Sequence, residues 1–251
     1  MPLRTCRFFQ SAVLIGLGIF LIDKIASGRL IWYIHPRFVP LTFLAVAGLL
    51  GIGWTVFQEG RRTEPANAGS GTEEGPREHE RGSSPWRLAI VTIPLAIGVL
   101  IPARPLTASA VQDKGITAAV PVTIAGKTGI QFGQAADARD ILQWNGLFNS
   151  DTDPGSYLGQ QANVIGFVYH DARLTDGQFL VARFALVCCP ADAFAVVMVV
   201  NWPAGASLPT NQWVKVKGPV QSTHLNGQTL PLIQATSVQP VDPPAEAYLY
   251  P

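Results

Sequence analysis

Two adjacent cysteines and a nearby carboxylate are the residues of this chain best suited to chemistry. Cys188 and Cys189 close an apolar run and are followed at once by Pro190 and, after Ala191, by Asp192. Thiolates are soft donors that suit zinc or cuprous copper, and a carboxylate or an imidazole can complete a four-coordinate shell. His170, with Asp171 beside it, ends the preceding apolar run, and His224 lies in a later loop. The candidate metal ligands are therefore Cys188, Cys189, Asp192 and His170, with zinc as the candidate ion. Neighbouring side chains of a regular strand point to opposite faces, so both sulfurs can reach one ion only where the backbone turns. Pro190 is a residue type that makes such a turn. Two other readings stay open. A buried thiol behaves as a small hydrophobe, and adjacent thiols can form a strained vicinal disulfide or a redox pair in an oxidising compartment.

The enzyme motifs with a recognisable mechanism are missing from the sequence. It holds no phosphate-binding GxxxxGK[ST] loop, no GxSxG elbow and no HExxH helix. A Cys–His pair could be drawn, but nucleophilic catalysis also needs an orienting group and an oxyanion hole. The chain is read as a non-enzyme. Its formal net charge of +1 supplies no basic face for phosphates, so no nucleic-acid partner is expected. Three cysteines, Cys6 included, cannot build a disulfide framework.

The elements that must position these residues fall into two contrasting halves. Only 14% of the 251 residues are charged, and the mean hydropathy of +0.24 is high for a soluble protein. The apolar excess lies before Pro105. Residues 8–22 and 39–57 carry no charge, and each stretch, the first extended to residue 26, is long enough to cross ~30 Å of hydrocarbon. The uncharged run 88–101 is shorter, with Trp86, Arg87 and Arg104 placed to anchor its ends. Arg4 and Arg7 would suit a secretory signal, but no clean cleavage site follows and a second span arrives at once. The first run is therefore read as a span. Lys and Arg favour an inside N-terminus; with the third span crossing, the C-terminal domain stands outside. Gly16, Gly18, Ala45, Ala47, Gly48, Gly51 and Gly53 are small enough to let helices approach closely.

The expected organisation is two transmembrane helices with an interfacial loop over 1–57 and a disordered charged linker over 58–86. A third transmembrane helix over 87–104 and a soluble β-rich domain over 105–251 complete it. The loop at 28–40 holds His35 and Arg37 on either side of Pro36, with Pro40 following, beside the interfacial aromatics Trp32, Tyr33 and Phe38. It reads as an interfacial hairpin, or as one that turns His35 toward a pore or partner. In the soluble half, residues 138–148 have helical spacing. Strand-like segments follow at 163–170, 179–189, 193–201, 213–221 and 230–241, with turn signals at Asp176-Gly177 and Asn226-Gly227. Five strands beside one helix suggest a small closed β-barrel of the OB-like type. Trp144, Trp202 and Trp213 are read as core residues rather than stacking platforms.

The Tyr33–Arg37 loop between paired spans, the charged linker, the third run and the segment Arg183-Phe184 … Cys188-Cys189 … Ala191-Asp192-Ala193 together resemble the YcgQ-like permease-subunit family, whose C-terminal part is DUF1980. The strand Trp213–Gly218 fits the same pattern. The resemblance covers nearly the whole chain. It implies an accessory subunit in the cell membrane that pairs with a multi-span permease, the pair moving a metal ion such as zinc.

Overall fold

The computed structural model describes residues 3–62, 85–101, 104–116, 135–150, 154–225 and 228–251. Its contacts divide the chain into two compact units. The first holds residues 1–31 and 36–104, and the second joins Trp32–His35 to Pro105–Pro251.

The first unit contains helices α1 (Leu3–Ala26), α2 (Val39–Arg62) and α3 (Pro85–Leu100). α1 and α2 run antiparallel. The Phe8 and Phe57 rings meet edge-on at 5.5 Å, and the Ser11 hydroxyl donates to the Gly53 carbonyl at 2.8 Å. Two glycines permit this approach. A Cβ on Gly18 would stand 2.8 Å from the Leu50 side chain, and one on Gly53 2.8 Å from that of Ile15. Both helices are long and apolar enough to cross a membrane, with 17% and 11% of their most apolar stretches buried. The core helix of a soluble protein would hide that surface; here Ile19, Leu41, Phe43, Leu44, Ile52 and Trp54 face outward. α3 has 16 residues, a length of ~24 Å at 1.5 Å per residue. α2 continues through residue 62, five residues into the stretch expected as linker, and residues 63–84 lie outside the described residues.

The second unit is rich in β-structure. Its elements are α4 (Ala108–Lys114), α5 (Ile141–Ser150), β1 (Gln161–Tyr169), β2 (Gln178–Ala185), β3 (Phe194–Asn201), β4 (Trp213–Leu225), β5 (Gln228–Gln234), β6 (Ser237–Pro240) and β7 (Tyr248–Leu249). The pairings run β1–β2–β3–β5–β4 and return to β1, so the five strands form a ring. β3 and β5 pair in parallel and the other four junctions of the ring are antiparallel. β6 lies along β4, and β7 runs parallel to the end of β2 through Phe184↔Tyr248 and Ala185↔Leu249.

Two apolar clusters explain why β2 and β3 read as nearly unbroken hydrophobic runs. Phe179, Val181, Val196 and Met198 join Trp144 and Leu147 of α5 on one face. Leu180, Phe184, Val197 and Val199 join Val111 of α4 on the other. Both strands are thus covered on both faces, the arrangement in which period-two alternation disappears. α5 opens with a reciprocal cap. The Gln143 amide donates to the Asp140 carboxylate at 2.8 Å, and the Asp140 amide donates to the Gln143 side chain at 2.9 Å. The turn signal at Asp176-Gly177 holds, with Gly177 at φ +82° and the Gln178 amide donating to the Thr175 carbonyl. The expected turn at Asn226-Gly227 lies outside the described residues.

Gly218 shows how tightly the ring closes. A Cβ there would stand 2.2 Å from the Gln234 carbonyl oxygen and 3.0 Å from the Ala235 Cα, both backbone atoms that cannot step aside. Gly218→Ala should cost at least about 2 kcal/mol through overpacking. The check is the unfolding temperature of the detergent-solubilised chain; an unchanged value would contradict the packing described.

Candidate metal centre

β2 ends at Ala185, four residues before the apolar run in the sequence does. The chain is turned out of the sheet by contacts on both sides of that point. The Arg183 guanidinium donates to the carbonyls of Glu246, Ala247 and Tyr248, and the Leu186 amide donates to the Leu249 carbonyl at 2.9 Å. The C-terminal segment is thereby pinned beside the strand exit. Beyond it, Pro190–Asp192 forms one turn of 3-10 helix with Pro at its first position, where an amide donor is not needed.

Asp192 organises this turn. Its Oδ1 accepts the Val187 amide at 3.1 Å, and its Oδ2 accepts the amides of Cys188 at 2.8 Å and Cys189 at 3.3 Å. Three successive amides thus converge on one carboxylate, a backbone concavity built for an anion. The consequence is the bend that the chemistry requires. The Cys188 and Cys189 sulfurs stand 3.6 Å apart, and one donor atom from each of Cys188, Cys189 and Asp192 lies within 4.8 Å of the others. Cys188 is exposed and Cys189 half-exposed.

The electrostatics of the turn are anionic. Partial burial pushes the Asp192 carboxyl upward, but hydrogen bonds from the Cys188 thiol and from the Val187, Cys188 and Cys189 amides outweigh it and hold the carboxyl below its ordinary value. The same carboxylate, and then Cys189, push the Cys188 thiol up to about 12. A thiol kept protonated at neutral pH is a poor nucleophile. A bound cation can do what the proton does, neutralising the thiolate beside Asp192.

The four expected ligands do not all meet. His170 follows β1, and its Nε2 lies 2.8 Å from the Leu208 carbonyl. Tyr169 pairs with Leu180 at the start of β2, so five residues of strand, ~17 Å at ~3.3 Å each, separate that end from the strand exit that leads to the cysteines. Asp171 pairs with Arg173, which holds its carboxyl below the ordinary range. His224 Nδ1 lies 3.3 Å from the Thr229 hydroxyl across the β4–β5 hairpin. Among the described residues, the cluster is therefore Cys188, Cys189 and Asp192. Three neighbours hold the turn from outside it. Arg183 pins its entry, the Lys114 ammonium donates to the Ala191 carbonyl at 3.0 Å, and the His35 amide donates to the Cys188 carbonyl at 2.9 Å.

Asp192→Asn tests the organising role. An amide nitrogen in place of one carboxylate oxygen cannot accept a backbone N–H. Losing charge-assisted bonds worth about 2 kcal/mol should speed hydrogen exchange of the 187–189 amides on the order of 30-fold. Exchange equal to that of the unaltered chain would mean that the turn is held by something else.

The chain as a whole is similar to known proteins. The pattern of the DUF1980 N-terminal domain matches residues 9–117, and that of the DUF1980 C-terminal domain matches residues 144–251. UPF0703 protein YcgQ of Bacillus subtilis is 24% identical over 287 aligned positions, covering 96% of this chain and 99% of that protein. A candidate subunit of a two-component membrane permease complex from Streptococcus mutans is 24% identical over 196 positions, covering 64% of this chain and 72% of that protein. Among solved structures, the small single-stranded DNA-binding protein of Streptomyces coelicolor is matched at 18% identity with a TM-score of 0.20, over 32% of this chain and 93% of that one. The chain belongs to the DUF1980 family and carries both of its domains, the N-terminal and the C-terminal.

Proposed function

We propose that this protein is an accessory subunit of a membrane permease, and that its C-terminal domain handles a soft divalent ion such as zinc. The observation that carries the metal reading is the 3.6 Å separation of the Cys188 and Cys189 sulfurs beside a third donor. Two sulfurs each ~2.3 Å from one zinc at the tetrahedral angle stand ~3.8 Å apart. The pair is thus spaced for one ion with little movement. A vicinal disulfide would need the sulfurs ~1.5 Å closer, at ~2.05 Å. The reduced form of a redox pair stands at the same contact distance, so the thiol state of the purified chain separates the two readings.

The permease half of the proposal draws on the Streptococcus mutans relative and on the first unit. Gly18 and Gly53 are used between α1 and α2, whereas Gly48 and Gly51 have, among the described residues, nothing within 4 Å of the position a Cβ would take. That open face of α2 suits a neighbouring helix in the bilayer. In this reading α3 also crosses, which puts the C-terminal domain outside, and the ring of strands is a small OB-like barrel.

The metal reading is tested on the full chain, purified in detergent with its thiols reduced. One zinc per chain, resistant to dialysis, is the expected result. A metal-free chain whose two thiols join once the reductant is removed would favour the redox reading. The partner is tested by co-purification: Gly51→Leu should weaken recovery of a multi-span permease while leaving zinc content unchanged. Recovery equal to that of the unaltered chain would remove α2 as the docking face.

A further inference from the structure

Asp192 has little left to give a metal ion. A carboxylate offers about four lone-pair positions, about two on each oxygen. The Cys188 and Cys189 amides occupy Oδ2 and the Val187 amide takes part of Oδ1. Two sulfurs and at most one further oxygen make three donors. A structural zinc site is almost always four-coordinate.

Trp32–His35 packs as part of the C-terminal unit, although chain order sets it between α1 and α2. Its docking has separate anchors. Trp32 packs against the cluster that contains Phe184, Leu186 and Tyr248. The His35 amide donates to the Cys188 carbonyl at 2.9 Å, and the His35 ring meets Tyr250 edge-on at 4.8 Å. Pro36 follows directly and biases His35 toward an extended backbone. Tyr250 in turn adjoins Leu249, whose carbonyl holds the strand exit. His35 is thus tied by its backbone to the very residue that carries the first thiol, while His170 and His224 lie in other parts of the fold.

We infer that His35 is the fourth ligand of the soft-metal site, its imidazole joining Cys188, Cys189 and Asp192 around one divalent cation. In this structure the ring rests on Tyr250, and ligation requires it to leave that contact by a change of side-chain rotamer. The inference rests on the metal reading above and adds a consequence to it. Occupancy of the site is then felt directly by the hairpin that joins two membrane helices, the segment through which an ion can signal to a permease.

The experiment uses the full chain in detergent and measures zinc affinity by competition with a chelator. His35→Phe keeps the backbone amide and an aromatic ring for Tyr250 but removes both nitrogens. It should weaken zinc binding at least ~10-fold, the loss that even an outer-shell change produces. His35→Cys, which restores a soft donor, should recover most of that loss. A readout independent of any variant is nitrogen NMR of the histidine-labelled wild-type chain, where zinc should shift one His35 ring nitrogen. Equal affinity in His35→Phe with an unmoved His35 nitrogen overturns the inference and leaves the metal reading standing. A wild-type chain that binds no zinc overturns both.

Discussion

Replacing Cys188 and Cys189 together with serine is expected to lower zinc affinity by more than about 100-fold while leaving the fold intact. The two halves of that expectation have different causes. Serine hydroxyls are hard donors that do not ionise near neutral pH, so the soft part of the shell vanishes. The fold survives because one thiol is exposed and the other half-exposed, and because Asp192 grips backbone amides rather than sulfurs. The binding free energy lost should be accompanied by a loss of proton release, since each thiol gives up its proton when metal binds. Binding by the unaltered protein should therefore weaken as pH falls, and the double variant should show little of that dependence. Undiminished affinity in the double variant would remove the cysteines from the site.

The second large effect lies in the core. Trp144 is fully buried in the cluster that also holds Phe179, Val181, Met198 and Val214, and the Arg139 guanidinium lies 5.1 Å from its ring. Trp144→Ala should destabilise the C-terminal domain by about 3–5 kcal/mol, the transfer term plus the cavity left behind. Trp144→Phe should cost much less. Among the described residues the buried indole Nε1 has no hydrogen-bond partner, so phenylalanine removes an unsatisfied donor along with the lost volume. Denaturant unfolding of the two variants checks the contrast. Equal losses would mean that the orphaned nitrogen carries no penalty.

The two long apolar helices, α1 and α2, were legible because each is written as a nearly charge-free run long enough to cross a bilayer. The helix near 138–148 was legible from its spacing, and the structure places it at Ile141–Ser150 behind the Asp140 cap. Strand ends were harder to read. The run 179–189 is apolar to its last residue, yet β2 stops at Ala185 because the C-terminal segment and Asp192 take the next amides. The run 230–241 divides into β5 and β6 where the Thr236 amide turns to the Lys217 carbonyl. Leu249 and Lys217 are distant in sequence, and Asp192, though only five residues from Val187, acts by a side-chain contact that apolar patterning does not show. β7 is too short to leave a periodic trace. The candidate site divides the same way. Cys188, Cys189 and Asp192 lie within five residues, and the turn that unites them follows from Pro190. His170 belonged with them only by proximity to a strand end, which the antiparallel register of β1 and β2 places at the far end of the strand. His35 lies more than 150 positions away in the chain, and long-range contacts, among them the hydrogen bond to Cys188, bring it near.

X-ray absorption at the zinc edge of the reduced full chain, loaded with one equivalent of metal, tests the central claim most directly. A shell of two sulfurs at ~2.3 Å with nitrogen or oxygen completing four-coordination is the predicted result. A shell of nitrogen and oxygen alone at ~2.0–2.2 Å would contradict it, because any bound zinc would then lie away from Cys188 and Cys189.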